Sequence, residues 1–197
     1  MVERPRSVSD VLVETLVAWG VDTVFGMVGH SNLGFADALR KAEERGELRF
    51  IGIRHEGAAA FAASAYGKLT GRPAACFAIA GPGSTNLLTG LYDAKLDGAP
   101  VLAISGQVPS SVLGRGAFQD VDLSAVFRDV SLSTVTVHAG SDHAELAASA
   151  VNTPSTAGGW RTCAAAARSG VRVVAAADAA RCAAGDRGWD RPTFWGG

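Results

Sequence analysis

The sequence predicts an α/β protein: a doubly wound, mainly parallel sheet with helices on both faces. Three observations carry that prediction. Runs such as PAACFAIAG and PVLAISG are almost continuously apolar, as strands buried on both faces are. Helical segments separate these runs one by one, which is the pattern of right-handed crossovers between parallel strands. Glycine-rich loops follow the strands, at the end of such a sheet where ligands bind.

Each element has its own signal. In SDVLVETLVAWG, Ser9 is a candidate cap, Leu12, Val13, Leu16 and Val17 share one face, and Gly20 stops the helix. VDTVFGMVG reads as a short buried strand ending in glycines. NLGFADALRKAEERG reads as a second helix with a charged tail, and LRFIGI as the next strand. RHEGAAAFAASAYGKLTG is an alanine-rich helix with one acid, Glu56, near its start. PAACFAIAG is a strand, TNLLTGLYDAKLDG a helix and PVLAISG another strand. STVTVH is a candidate fifth strand, followed by a helical SDHAELAASAV.

The composition narrows the function classes. The chain has 197 residues, 48% hydrophobic and 19% charged, with a net charge of −1. That balance gives no electrostatic case for nucleic acid or an anionic membrane surface. The N-terminus MVERPRSVSD has no apolar signal core, and no run is long and pure enough for a transmembrane segment. Cys76, Cys163 and Cys182 follow no metal-ligand spacing, so no metal site is expected, and an odd, sparse set points to a reducing, cytoplasmic setting.

Four loops are the candidate chemistry: GMVGHSN, IRHEG, IAGPGSTN and ISGQVPSSVLGRGAFQD. Glu56 is either an acid complementing a helix dipole or a buried carboxylate needing a partner, and the alanines after it favour burial. GPGSTN makes a turn in which Ser84 or Thr85 can cap the next helix. It is neither a P-loop nor a dinucleotide fingerprint. GRGAFQD is a glycine-flanked loop whose Phe118 either tucks inward or serves a site. His30 is a candidate proton shuttle or a solvated side chain. His55, beside Glu56, would point elsewhere.

Taken together, RHEGAAAFAASAYGKLTGRP, IAGPGSTNLLTGLYDAKLDGAPVLAISGQVP and GAFQD resemble the N-terminal pyrimidine-binding (PYR) domain of thiamine-diphosphate enzymes, in the pyruvate oxidase and acetolactate synthase group. The resemblance covers about Val8 to Thr156. GLYDAKLDGAPVLAISGQ, and FQD followed by VFRDVS, are most similar to pyruvate oxidases and quinone-dependent pyruvate dehydrogenases.

The resemblance implies thiamine diphosphate as cofactor and decarboxylation of a 2-oxo acid such as pyruvate. The Glu matching Glu56 hydrogen-bonds N1′ of the aminopyrimidine, favouring the tautomer whose 4′-nitrogen takes the C2 proton. Glu56 is therefore the catalytic candidate. Gly81, Pro82, Gly83 and Asn86 match the cofactor-binding lining near the pyrimidine. Gly29 and His30 match the loop reaching toward thiazolium and substrate, although the family has a small or acidic residue where His30 stands. Phe118 and Gln119 match a substrate-side loop contributed across a subunit interface.

Mg2+ and, in the oxidases, FAD belong to domains that the resemblance does not extend to. The family's metal signature, Gly-Asp-Gly with a later Asn, is not met by GDRG at 185–188. The expected organisation is a PYR domain at 1–156 and an atypical Ala/Gly/Arg-rich tail at 157–197. That tail has no Leu, Ile, Lys or Glu but three of the four Trp, as an out-of-frame or disordered extension would.

The chain alone is expected to be inactive, requiring a C-terminal domain or partner subunit within a homo-oligomer. An acetolactate synthase-type fragment, a split enzyme and a non-catalytic truncated gene product are the competing readings. The acyl acceptor stays open.

Overall fold

The structure is a computed structural model that describes residues 7–132, 134–137, 142 and 145, and the backbone of 163–166 and 172–175. Helix α1 spans Val8–Ala18, strand β1 Thr23–Gly26, helix α2 Leu33–Glu44 and strand β2 Arg49–Gly52. Helix α3 spans Glu56–Thr70 and strand β3 Ala74–Ala78. A single turn, α4 (Pro82–Thr85), leads into α5 (Leu88–Leu96), and β4 (Val101–Ser105) follows. A long loop reaches α6 (Leu123–Phe127), then the two-residue strand β5 (Thr134–Val135). Strands β6 (Cys163–Ala166) and β7 (Arg172–Ala175) complete the described elements.

The first four strands pair in parallel in the order β2-β1-β3-β4. Beyond β4 lie β6, β5 and β7, with β6 parallel to β4 and β5, and β7 antiparallel. Strand alternation divides the core into two layers. Ala75 and Phe77 of β3 and Leu102 and Ile104 of β4 face Leu12, Leu16, Phe35 and Leu39 of α1 and α2. Ala74, Cys76 and Ala78, with Val101 and Ala103, face Ala59, Ala60 and Ala63 of α3, Leu91 of α5, and Phe127. Both faces are thus covered, which explains why the strands lack polar positions. The chain passes from β1 through α2 to β2 on one side, and then through α3 crosses back to β3 on the other side of β1. The topological switch therefore lies between β1 and β3, and the crevice beyond their carboxyl ends is the natural ligand position.

Several local expectations are corrected. The cap of α1 is Ser7, not Ser9: the Asp10 amide donates to Ser7 Oγ (3.1 Å) while the Ser7 amide donates to Asp10 Oδ2 (2.9 Å). Three residues after Ser9 stands Leu12, which cannot reciprocate, so the capping box selects Ser7. The helix expected at 85–98 begins earlier, at Pro82, whose fixed φ suits a first turn. Ser84 and Thr85 lie inside that turn and do not cap it. The candidate fifth strand is reduced to Thr134–Val135. The helix expected in SDHAELAASAV, apart from Asp142 and Glu145, and the boundary expected at 156 lie outside the described residues. Two strands, β6 and β7, fall within the segment expected to be a tail.

Cys76 is a free thiol sealed in β3, and burial pushes its thiol far above the ordinary range, so it is no nucleophile. Among the described residues, no helix is long and apolar enough to cross a membrane.

Candidate functional site

Three loops meet beyond the carboxyl ends of β1, β2 and β3, and Glu56 stands at their centre. Glu56 is the first residue of α3 and is only 4% exposed. Helix α3 starts there because His55 caps it, with Nδ1 accepting from the Gly57 amide at 3.1 Å. The Ala58 amide bonds the His55 carbonyl (2.9 Å). His55 thus takes up the first amides of the helix, which a carboxylate there would otherwise accept from. The Glu56 carboxylate instead receives one side-chain donor: Asn86 Nδ2 to Oε2 at 3.0 Å, from 30 residues away. Oε1 has no described hydrogen bond.

Oε1 lies against a glycine. A Cβ at Gly83 would lie 3.0 Å from Glu56 Oε1 and 2.5 Å from Ile79 Cγ1. The other side of Ile79 presses on Gly29, where a Cβ would lie 2.4 Å from Ile79 Cγ2. Gly81 has φ +66, a conformation that favours glycine, and a Cβ there would lie 2.8 Å from Gln119 Cα. The GPGSTN turn is therefore squeezed between the loop after β1, the start of α3 and the GRGAFQD loop. Gln119 itself adopts a left-handed φ of 67, while Gly114 and Gly116 are also left-handed. The Asp120 carboxylate folds this loop by accepting from the Gly114 and Arg115 amides at 2.7 and 3.1 Å.

The loop after β1 is tied by side-chain hydrogen bonds of its own. Asn32 is 2% exposed, donates to the Met27 carbonyl (3.1 Å) and accepts from the Gly29 amide (2.8 Å). Ser31 Oγ accepts from the Ala80 amide at 2.9 Å, tying this loop to the one after β3.

The sequence-predicted residues thus divide. Glu56, Asn86, Gly81, Gly83, Gly29 and Gln119 come together. Pro82 opens α4 on the exposed side. The His30 side chain is exposed. Phe118 is 88% exposed, so it is not tucked inward. Sequence reading missed Ile79, Asn32 and Ser31. It also missed the buried pair Ser84 and Ser105, whose hydroxyls hydrogen-bond each other beneath the turn. A hydroxyl ending the apolar strand VLAIS was the available signal for Ser105.

These residues fit a ligand that offers a hydrogen-bonding group to Oε1, because a carboxyl buried to this degree with one oxygen unserved needs a polar partner. Among the described residues, no group of three or more His, Cys, Asp or Glu side chains stands together to hold a metal ion.

Residues 6–126 match the family described as thiamine pyrophosphate enzyme, N-terminal TPP binding domain. A thiamine pyrophosphate-containing protein of Bacillus subtilis is 47% identical over 148 residues, covering 75% of this chain and 25% of the relative. The acetolactate synthase of Arthrospira platensis is 48% identical over 115 residues, covering 58% of this chain and 20% of the relative. The chloroplastic acetolactate synthase of Arabidopsis thaliana is 40% identical over 129 residues, 66% of this chain and 19% of that protein. The chain spans about a quarter or less of the length of these relatives. It belongs to the thiamine pyrophosphate enzyme family, as an N-terminal TPP binding domain.

Proposed function

We propose that this domain holds the aminopyrimidine half of thiamine diphosphate in an enzyme that decarboxylates a 2-oxo acid, and that Glu56 is the group facing the ring. The half-served Glu56 carboxylate beside a glycine wall is the observation that carries the assignment. Bound thiamine diphosphate supplies the electron sink that lets a 2-oxo acid lose carbon dioxide. The chain's own residues do the rest of what is proposed. Glu56 shares a proton with a ring nitrogen through its free oxygen. Gly81 and Gly83 allow the ring to approach the backbone. Ile79 excludes water from the carboxyl. Gly29, His30, Phe118 and Gln119 border the side where substrate would sit.

Mg2+, any FAD and the grip on the diphosphate are assigned to parts of the full-length relatives beyond the matched segment. Assembly with those parts, in a homo-oligomer, is part of the proposal. So is a domain carried by residues 1–156. Two finer readings stand. GLYDAKLDGAPVLAISGQ and FQD–VFRDVS support a pyruvate oxidase-type enzyme. The names of the relatives support an acetolactate synthase-type enzyme.

The test is a chimera in which residues 8–156 replace the matching segment of the Arabidopsis thaliana relative. It should bind thiamine diphosphate with Mg2+ and consume pyruvate, whereas the 197-residue chain alone should show no micromolar binding by calorimetry. A folded chimera without cofactor affinity would overturn the proposal. Acetolactate as against acetate among the products of the chain's own full-length context would decide between the finer readings.

A further inference from the structure

The family resemblance implies that Asn86 lines the cofactor; in the structure its side chain meets Glu56. Its side chain reaches the buried Glu56 and donates to Oε2 at 3.0 Å. Its backbone is fixed for that purpose. The Asn86 amide bonds the Pro82 carbonyl at 3.0 Å, and its carbonyl packs on the start of α3, where a Cβ at Gly57 would lie 3.1 Å away. The competing donors at that helix end are already spent on His55. Oε1 lies on the Gly83 side, where a Cβ would stand 3.0 Å from it.

We propose that Asn86 is a positioning residue that acts through Glu56, holding Oε2 as the accepting oxygen so that Oε1 is the one that faces a ring ligand and carries the shared proton. This rests on the cofactor reading above. An N–H donor prefers the carbonyl-like oxygen of a carboxyl group, so a proton on Glu56 resides on the other one. A carboxyl without Asn86 could turn about its last torsion, which is broad for glutamate, and offer either oxygen. One amide thereby converts a symmetric group into a directed one.

The test uses the full 197-residue chain without ligand, labelled at Asn side-chain nitrogen and Glu δ-carbon. The Glu56 resonance is the one missing in Glu56→Gln. Glu56→Ala should bring the two Asn86 amide protons closer together in chemical shift and speed their solvent exchange about tenfold, as loss of their hydrogen-bond acceptor implies. Asn86→Ala should move the Glu56 δ-carbon resonance. Asn86→Asp should move it too, because an isosteric carboxylate cannot donate, and this variant keeps the test alive should the alanine variant not fold. An Asn86 amide pair indifferent to Glu56→Ala would overturn the proposal. So would a Glu56 resonance unmoved in Asn86→Asp, because a side chain that accepts from Glu56 rather than donating to it survives that change. The absence of ligand separates this from the cofactor reading: a chimera that fails to bind thiamine diphosphate sinks that reading and leaves this coupling to be read as it stands.

Discussion

The two ends of the sheet each carry an acid, and their surroundings differ in kind. At the amino end, before β1, Asp22 has both oxygens engaged. Tyr66 donates its hydroxyl to Oδ1 at 2.7 Å, Thr23 adds a second donor to that oxygen at 3.1 Å, and the Arg72 guanidinium pairs with Oδ2 at 2.7 Å. At the carboxyl end Glu56 is more deeply buried and yet has one donor, on one oxygen. Folding alone would favour the reverse, since the deeper carboxylate loses more hydration. A saturated acid at a sheet end is bracing for the fold. A buried, half-served acid at the topological switch is what the proposed cofactor site requires.

The contrast can be broken in several places. Gly83→Ala should have the largest effect on stability, because its Cβ would fall 2.5 Å from Ile79 Cγ1 and 3.0 Å from Glu56 Oε1. Overpacking of this kind costs about 1–3 kcal/mol. An unchanged urea midpoint would show that the wall is softer than described.

Tyr66→Phe at the amino end should cost about 1 kcal/mol, the worth of a hydrogen bond to a charged acceptor at a partly exposed site. Burial, and then the bond to Asp22, raise the Tyr66 hydroxyl above its ordinary pKa of 10.0. A raised pKa in the folded state stabilises below the unfolded value and ceases to do so as pH rises through the folded one. The difference between the parent and Tyr66→Phe in thermal unfolding should therefore be full at neutral pH and shrink above pH 10. A difference that persists unchanged at high pH would contradict the assignment.

The smallest effect is expected at Asp93, which links α5 to α3 through Lys68 (2.8 Å) and Ser64 (2.6 Å). Those bonds, Lys68 first, hold its carboxyl below the usual 3.8. Its contribution is present above that pH and lost as pH falls through the lower folded value. Because the pair is partly exposed, Asp93→Asn should cost less than about 1 kcal/mol at neutral pH, and nothing in strong acid. A cost that grows on acidification would be contrary to this.

The strands and the two-layer core were legible because a parallel sheet covered on both faces leaves an unbroken apolar run, as in AACFA and VLAIS. The burial of Glu56 was legible from the alanines and glycine around it. What joins it to Asn86 was not, because 30 residues separate them and the turn after β3 has to pack on the start of α3 to bring them together. The same holds for Tyr66 and Asp22, 44 residues apart. Ile79 was invisible for another reason. An isoleucine ending a strand run announces core, and its place between Gly29 and Gly83 depends on three loops at once. Ser9 was the nearer serine to the apolar face of α1, and only the reciprocal partner Asp10 identifies Ser7 as the cap.

The central claim is that Glu56 serves a ligand more than it serves the fold. The most direct measurement is hydrogen–deuterium exchange at C2 of thiamine diphosphate bound to the chimera, with and without Glu56→Gln. Glutamine keeps the size and an acceptor oxygen but has no carboxyl proton to share. The account predicts a loss of about 10²–10⁴-fold in exchange rate, with unfolding stability changed by only about 1 kcal/mol or less. Exchange within about threefold of the unsubstituted protein, roughly 0.65 kcal/mol, together with a marked loss of stability, would make Glu56 a structural acid like Asp22 and contradict the claim.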